Sequence, residues 1–400
     1  MTPGARHQAA IEILDRILAG EAAERALTRW ARASRFAGSK DRAAVRDLVF
    51  DALRQRRSRA HRMGGETGRT LILGGLAIAG TDPEPLFSGE GHAPAPLDPE
   101  EVARLSAPPS APPPPAVAGD YPDWLAPELA RSLGDALPAV MEALRHRAPL
   151  DLRVNLLKSD RAGALRALSA EGIEAEALDT APTALRVTSG ARRVAQTDAY
   201  REGLVELQDV SSQAVAIAAA PRPGETVLDY CSGGGGKALA LAALMGGAGR
   251  IVAHDAELAR MKDLPARAAR AGATVEIAAP GTLPSEGWAD LVLVDAPCSG
   301  SGAWRRQPDA KWRLDAGRLV ALTELQDKIL AEAAAHLRPG GRLVYATCSL
   351  LAVENEDRVA AFLARHPDLR ADSPLRLSPL GGGDGFFAVR ILRPPVSTRP

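Results

Sequence analysis

The feature that most constrains this chain is an alternation that begins near Gln208. "ETVLDYC" precedes a glycine loop and the apolar run "KALALAALM", and "GRIVAHD" precedes "AELARMKDLPARAARAG". "ATVEIA" and "ADLVLVDAPC" follow, and "RLVALTELQDKILAEAAAHL" leads through "RPGG" into "RLVYATCS". Strand-like runs that take turns with helix-forming runs predict a parallel sheet, because parallel neighbours need a crossover and the crossover is usually a helix. The predicted fold class is therefore α/β, with ligands expected beyond the carboxyl ends of the strands.

The rest of the chain reads differently. Residues 4–62 carry apolar positions at three and four spacing and predict helices, with Ser39 and Asp41 as candidate N-caps of "DRAAVRDLVFDALRQRR". Residues 82–120 are rich in Pro, Gly and Ala; proline fixes φ and lacks an amide hydrogen, so this stretch reads as a linker. "DLRVNLL", "RAGALRALSAEGI" and "ALRVTSG" predict a small α/β unit. The expected organisation is a helical region with linker over 1–118, an accessory subdomain over 119–205 and the sheet domain over 206–400.

Four hundred residues suffice for several cores, and 46% hydrophobic with 24% charged residues is ordinary for a globular protein. The longest apolar run, "LILGGLAIAG", is too short to span a bilayer, and the N-terminus has no secretory pattern, so the expected location is the cytoplasm. Net charge is zero, yet residues 1–70 carry 15 Lys/Arg against 8 Asp/Glu, a local surplus that suits a polyanion.

The three cysteines supply the chemistry. Cys231, Cys298 and Cys348 each stand just past a predicted strand of the sheet domain. They form no Cys-x-x-Cys pair and no disulfide framework, and no metal is expected. A lone free cysteine is ordinarily a small buried hydrophobe. Three at the ligand-binding edge of one sheet argue for a shared crevice. The loop "CSGGGGK" after Asp229 lets a ligand approach the backbone, and Asp255 ends the next strand where an acid meets a ribose hydroxyl. NAD and S-adenosylmethionine both fit that pair of features. Two thiols favour a methyl donor. A thiolate adding to C6 of cytosine makes C5 nucleophilic enough to attack an electrophilic methyl group. Asp295 in protonated form would neutralise the ring charge that develops.

These residues resemble the RsmB/Nop2/NSun group of RNA cytosine-5 methyltransferases. The likeness covers about residues 121–393. The family's Asp-x-Cys-Ala-Ala-Pro-Gly-Gly-Lys-Thr is matched without gaps from Asp229 to Ala238, its Asp-Ala-Pro-Cys-Ser by Asp295 to Ser299, and its Thr-Cys-Ser by Thr347 to Ser349. "ENE" from Glu354 and "DGFFAVR" from Asp384 also match. "RRQPDAKW" is similar to the bacterial ribosomal RNA branch, and "LRVNLLK" to an Arg-Val-Asn element of the accessory subdomain. "DRAAVRDLVFDALR" resembles the NusB-type RNA-binding domain that precedes the catalytic part in RsmB.

The resemblance implies a Rossmann-like class I methyltransferase sheet that uses S-adenosylmethionine to methylate C5 of a cytosine in RNA, with small-subunit ribosomal RNA as the expected substrate. It implies Cys348 as the nucleophile on C6, Cys298 as the residue that helps release product, and Asp295 at the cytosine edge near the methyl donor. Cys231, Ser232, Gly233, Gly234, Gly235, Gly236, Lys237, Asp255 and Asp295 are expected to hold the cofactor, and Arg153, Asn155, Arg305, Arg306 and Lys311 to contact RNA. RNA is the expected partner, with no membrane and a monomeric chain. Two other readings are a catalytically weak RNA-binding or assembly factor and an NAD-type oxidoreductase; the paired thiol motifs argue against both. The chain departs from the family at Ser232-Gly233-Gly234, where Ala-Ala-Pro is usual, and the lost proline is expected to loosen cofactor binding. "VEIAAPGTLP" offers no aspartate after the third strand, so no acidic adenine contact is expected there.

Overall fold

The computed structural model describes residues 1–107 and 109–395. The chain divides into two compact units, one of Met1–Arg147 with Trp304–Asp315, the other of Ala148–Ala303 with Ala316–Pro400.

The first unit is helical. Helices α1 (Pro3–Leu18), α2 (Ala23–Ala33), α3 (Ser39–Arg54), α4 (Arg56–Met63) and α5 (Gly68–Ile78) bury Leu14, Val45, Leu53 and Leu71 completely. Thr2 caps α1 by accepting from the Ala5 amide. The cap of α3 is Gly38, one residue earlier than expected, and the Asp41 carboxylate reaches back to the Gly38 amide at 3.3 Å.

The expected linker is instead part of this unit. Phe87 is buried in the helical core. Asp98 caps a helix over Pro99–Ser106, and the Arg69 guanidinium donates to the carbonyls of Ala95 and Pro96 and to Glu101. Asp120, fully buried, accepts from the Ser58 amide at 2.9 Å and pairs with Arg145 at 2.8 Å. Proline bars regular elements without barring packing, so this stretch packs although it reads as a linker. The longer unit also changes the charge reading. Residues 71–147 carry 4 Lys/Arg against 11 Asp/Glu, which cancels the surplus of residues 1–70.

The second unit holds two sheets. Strands β1 (Leu150–Val154), β2 (Glu174–Ala177), β3 (Ala184–Ser189) and β4 (Val205–Leu207) form an antiparallel sheet in the order β2-β3-β1-β4, with a helix over Arg161–Ala170 between β1 and β2. The larger sheet has eight strands: β5 (Thr226–Asp229), β6 (Arg250–His254), β7 (Glu276–Ala278), β8 (Ala289–Asp295), β9 (Leu337–Thr347), β10 (Arg370–Ala371), β11 (Leu375–Leu377) and β12 (Phe386–Leu392). The order is β7-β6-β5-β8-β9-β12-β10, with β11 also paired to β12. Strands β5 to β9 are parallel to one another, and β12 runs antiparallel to β9. This is the Rossmann-like α/β sheet that the alternation predicted. Its central strands are apolar on both faces because helices cover both, which leaves Val227, Leu228, Leu291 and Val292 without solvent exposure. Strand order reverses between β5 and β8, and a crevice forms outside the carboxyl ends at such a point.

Candidate active site

Strands β5, β8 and β9 are consecutive in the sheet, so the loops that carry the three cysteines lie side by side. The Cys298 and Cys348 sulfurs are 3.5 Å apart. Cys231 joins a different environment. It packs with Tyr230 against the apolar cluster beneath the opposite sheet face, and burial pushes its thiol far up.

The cysteine loops are fastened to each other. The Gly302 amide donates to the Cys348 carbonyl at 2.9 Å, and the Leu350 amide to the Ser301 hydroxyl at 2.7 Å. Beneath them lies Glu354, fully buried, a residue that the sequence pattern marked only as part of a motif. Its carboxylate accepts from the Ser299 amide at 2.8 Å, from the Ser299 and Ser349 hydroxyls at 2.5 Å each, and from Gln326 Nε2 at 3.0 Å. One side chain therefore fixes the residue that follows each cysteine.

Asp295 ends β8 and accepts from Lys237 Nζ at 2.6 Å. Burial alone would lower the Lys237 ammonium, but the adjacent Asp295 outweighs it and raises it. The Asp295 carboxyl, expected in protonated form, meets a cation here and not an apolar wall.

The glycine loop is a tight turn closed by the Gly235 amide on the Ser232 carbonyl at 2.9 Å. Gly233 has φ +51° and Gly235 φ +79°, whereas Gly234 lies outside the left-handed region. A Cβ at Gly235 would stand 2.2 Å from Leu264 Cδ1, so this position needs glycine twice over. Gly236 opens the helix Gly236–Leu244. Asp255, buried after β6, accepts from the Gly233 amide at 2.9 Å and pairs with Arg260 at 3.1 Å. Asp229 beneath the loop is fully buried, with the Ser232 hydroxyl and the Ala238 amide as its polar neighbours. Burial pushes its carboxyl up to about 7.

The family described as 16S rRNA methyltransferase RsmB/F matches residues 216–388, and the ferredoxin-like domain of RsmF/B-like methyltransferases matches residues 121–194. The "Ribosomal RNA small subunit methyltransferase B" of Xylella fastidiosa (strain 9a5c) is 35% identical over 300 residues, which cover 70% of each chain. The chain belongs to the RsmB/F methyltransferase family. The "Probable ribosomal RNA small subunit methyltransferase B" of Bacillus subtilis (strain 168) is 37% identical over 268 residues, 65% of this chain and 59% of that protein's length. Among solved structures, that of PH0851 superposes with a TM-score of 0.77 at 24% identity, covering 98% of this chain and 99% of the other. A methyltransferase homolog from Pyrococcus horikoshii gives 0.61 at 25% identity over 70% of this chain and 97% of its own.

Methyltransferases of the RsmB/F family use S-adenosylmethionine, and the residues here fit that cofactor. The buried Asp255 carboxylate beside the loop suits a ribose hydroxyl, and the positive-φ glycines keep side chains off the loop. No helix among the described residues is long and apolar enough to cross a membrane.

The residues expected to touch RNA fare differently. Arg153 is buried and donates to the Gly236 carbonyl at 2.7 Å and to Gln208, so it braces the cofactor loop from below. Burial lowers it to about 10. Asn155 Nδ2 donates to the carbonyls of Gly203 and Ala271, both at 2.8 Å. Lys311 is buried in the helical unit with Nζ 3.2 Å from the Arg54 carbonyl, and burial lowers it to about 7. Arg305 is buried there too, its carbonyl accepting from Arg54 Nε at 2.7 Å. These four are corrected from RNA contacts to internal supports; a basic residue in a motif does not reveal which way it faces. Arg306 alone of the set is half-buried.

Proposed function

We propose that this chain methylates C5 of a cytosine in small-subunit ribosomal RNA through a covalent adduct between Cys348 and C6 of the base. The observation that carries the reading is the pair of thiols 3.5 Å apart beside the Lys237–Asp295 ion pair, at the carboxyl ends of adjacent strands. The names of the curated relatives supply the RNA class.

The pair divides the labour. The hydrogen bond with Cys348 pushes the Cys298 thiol well up, and burial adds to it. Cys348 is taken as the nucleophile because Thr347-Cys348-Ser349 matches the family's Thr-Cys-Ser motif. Its sulfur bonds C6, and C5 gains the electron pair it needs to attack. S-adenosylmethionine supplies the electrophilic methyl group. Solvent water takes the C5 proton, and the electron pair of the broken C5–H bond re-forms the C5–C6 double bond and expels the Cys348 sulfur as thiolate. Cys298, within reach of that sulfur, assists this release. Asp295 accepts from the cytosine amino edge while the Lys237 ammonium offsets charge that builds on the ring. Asp229, Asp255 and residues 231–237 hold the cofactor, braced by Arg153.

The test is trapping on RNA that contains 5-fluorocytosine, which cannot lose its C5 substituent. The adduct should map to Cys348. Cys348→Ala should abolish transfer with S-adenosylmethionine binding nearly intact, and Cys298→Ala should accumulate a denaturant-resistant complex with native RNA. An adduct on Cys298 would reverse the assignment, and no adduct on either thiol would remove the covalent mechanism.

A further inference from the structure

A cleft of about 560 Å³ opens within the helical unit. Three stretches remote in sequence line it: Arg56, Arg57 and His61 on α4, Trp124 on the 3-10 turn Asp123–Leu125, and Trp312 on the helix Pro308–Arg313. That volume lies within the range of small-ligand sites, about 300–1,000 Å³.

Its chemistry is specific. Trp124 is 38% exposed, unusual for an indole that serves only packing. Trp312 is held rigid, its Nε1 donating to the Leu53 carbonyl at 2.7 Å, and the Arg56 guanidinium lies 5.2 Å from its ring centroid. Arg57 forks onto both Asp123 oxygens at 2.7 and 2.8 Å and donates to the Tyr121 carbonyl at 2.8 Å, which fixes the guanidinium in place. The Asp123 side chain is 74% exposed, so a phosphate arriving from solvent competes with it for that guanidinium. His61 adds an Nε2 that is buried and without a hydrogen-bond partner.

We propose that this cleft binds one unpaired nucleotide of RNA, its base stacked on the exposed Trp124 indole and its phosphate on Arg57. Aromatic faces beside cations are what single-stranded recognition uses, since every base offers a π-face and every linkage a phosphate. Duplex RNA has no free base face to offer. The choice of RNA over another polyanion rests on the proposed RNA methyltransferase activity. The site gives the "RRQPDAKW" segment a role that its buried Arg305 and Lys311 do not: it delivers Trp312 to the cleft wall.

The test uses the full-length protein and a single-stranded hexauridine, followed by tryptophan fluorescence, with a blunt RNA duplex as comparison. Trp124→Ala should weaken hexauridine binding about tenfold. Asp123→Asn, which releases Arg57, should tighten it by about threefold. Duplex should bind at least about tenfold more weakly than hexauridine. With RNA substrate, Trp124→Ala should raise KM and leave kcat and S-adenosylmethionine affinity unchanged. Equal affinity of wild type and Trp124→Ala, equal binding of duplex, or displacement of hexauridine by a proline-rich peptide would each overturn the proposal. The two readings fail separately. Quenching reports on the cleft even if no RNA is methylated, and methylation with an unresponsive Trp124→Ala leaves the activity standing without the cleft.

Discussion

Replacing Glu354 tests whether one buried carboxylate holds the two cysteine loops in register. In Glu354→Ala the Ser299 amide loses the carboxylate oxygen that accepts from it at 2.8 Å. The Ser299 and Ser349 hydroxyls, 3.3 Å apart, can partly satisfy each other, and Gln326 retains the Pro297 carbonyl at 2.9 Å. The loss is then about two stranded donors at about 1–3 kcal/mol each, or about 2–6 kcal/mol before the small cavity adds to it. Glu354→Gln keeps one carbonyl oxygen and gives up less, about 1–2 kcal/mol. Urea denaturation followed by circular dichroism, with the three proteins compared at one pH, measures the order. Trapping on 5-fluorocytosine RNA supplies a readout that global stability does not move. Well below the urea midpoint, adduct formation should slow at least about tenfold in Glu354→Ala and recover in part in Glu354→Gln. An alanine variant within about 0.5 kcal/mol of wild type, trapping at the same rate, would refute the reasoning.

Three further outcomes follow from the geometry. Gly234→Pro should tighten S-adenosylmethionine binding by up to about 1 kcal/mol, about fivefold, because only Gly233 and Gly235 need positive φ and a Cβ at Gly234 meets only the Arg267 guanidinium, at 3.0 Å; calorimetric titration measures it, and Gly233→Ala should weaken binding. Asp229 has its folded pKa raised to about 7, above its unfolded value. Its contribution is therefore fully present below about pH 4 and lost as pH rises through 7, and Asp229→Asn should flatten that slope, worth at most about 4 kcal/mol between pH 4 and 8 in the cofactor-free protein. Lys311 has the opposite sign, its folded pKa lowered to about 7 by burial. Lys311→Met should be more stable than wild type near pH 6, and the gap should close as pH approaches 10, where the unfolded lysine also loses its charge.

What the sequence determined by itself was local and periodic. Alternating apolar runs set the parallel sheet, and the positions of Cys231, Cys298 and Cys348 after three strands put them at its ligand-binding edge, because a strand's end is a property of the chain alone. The glycine loop, Asp255 and Asp295 were legible for the same reason. Tertiary structure decided the rest. Only the pairing order brought β8 beside β9 and so set two sulfurs 3.5 Å apart, while Cys231 went to another face. Glu354 lies 55 residues from Ser299, a separation that no local pattern spans. Arg153, Asn155 and Lys311 read as surface cations or polar contacts and are internal braces, since burial depends on what packs against a residue from elsewhere in the chain. The proline-rich stretch read as a linker because proline forbids regular hydrogen bonding; whether such a stretch also packs is settled by distant partners such as Arg69 and Arg145, and here they hold it in the helical core.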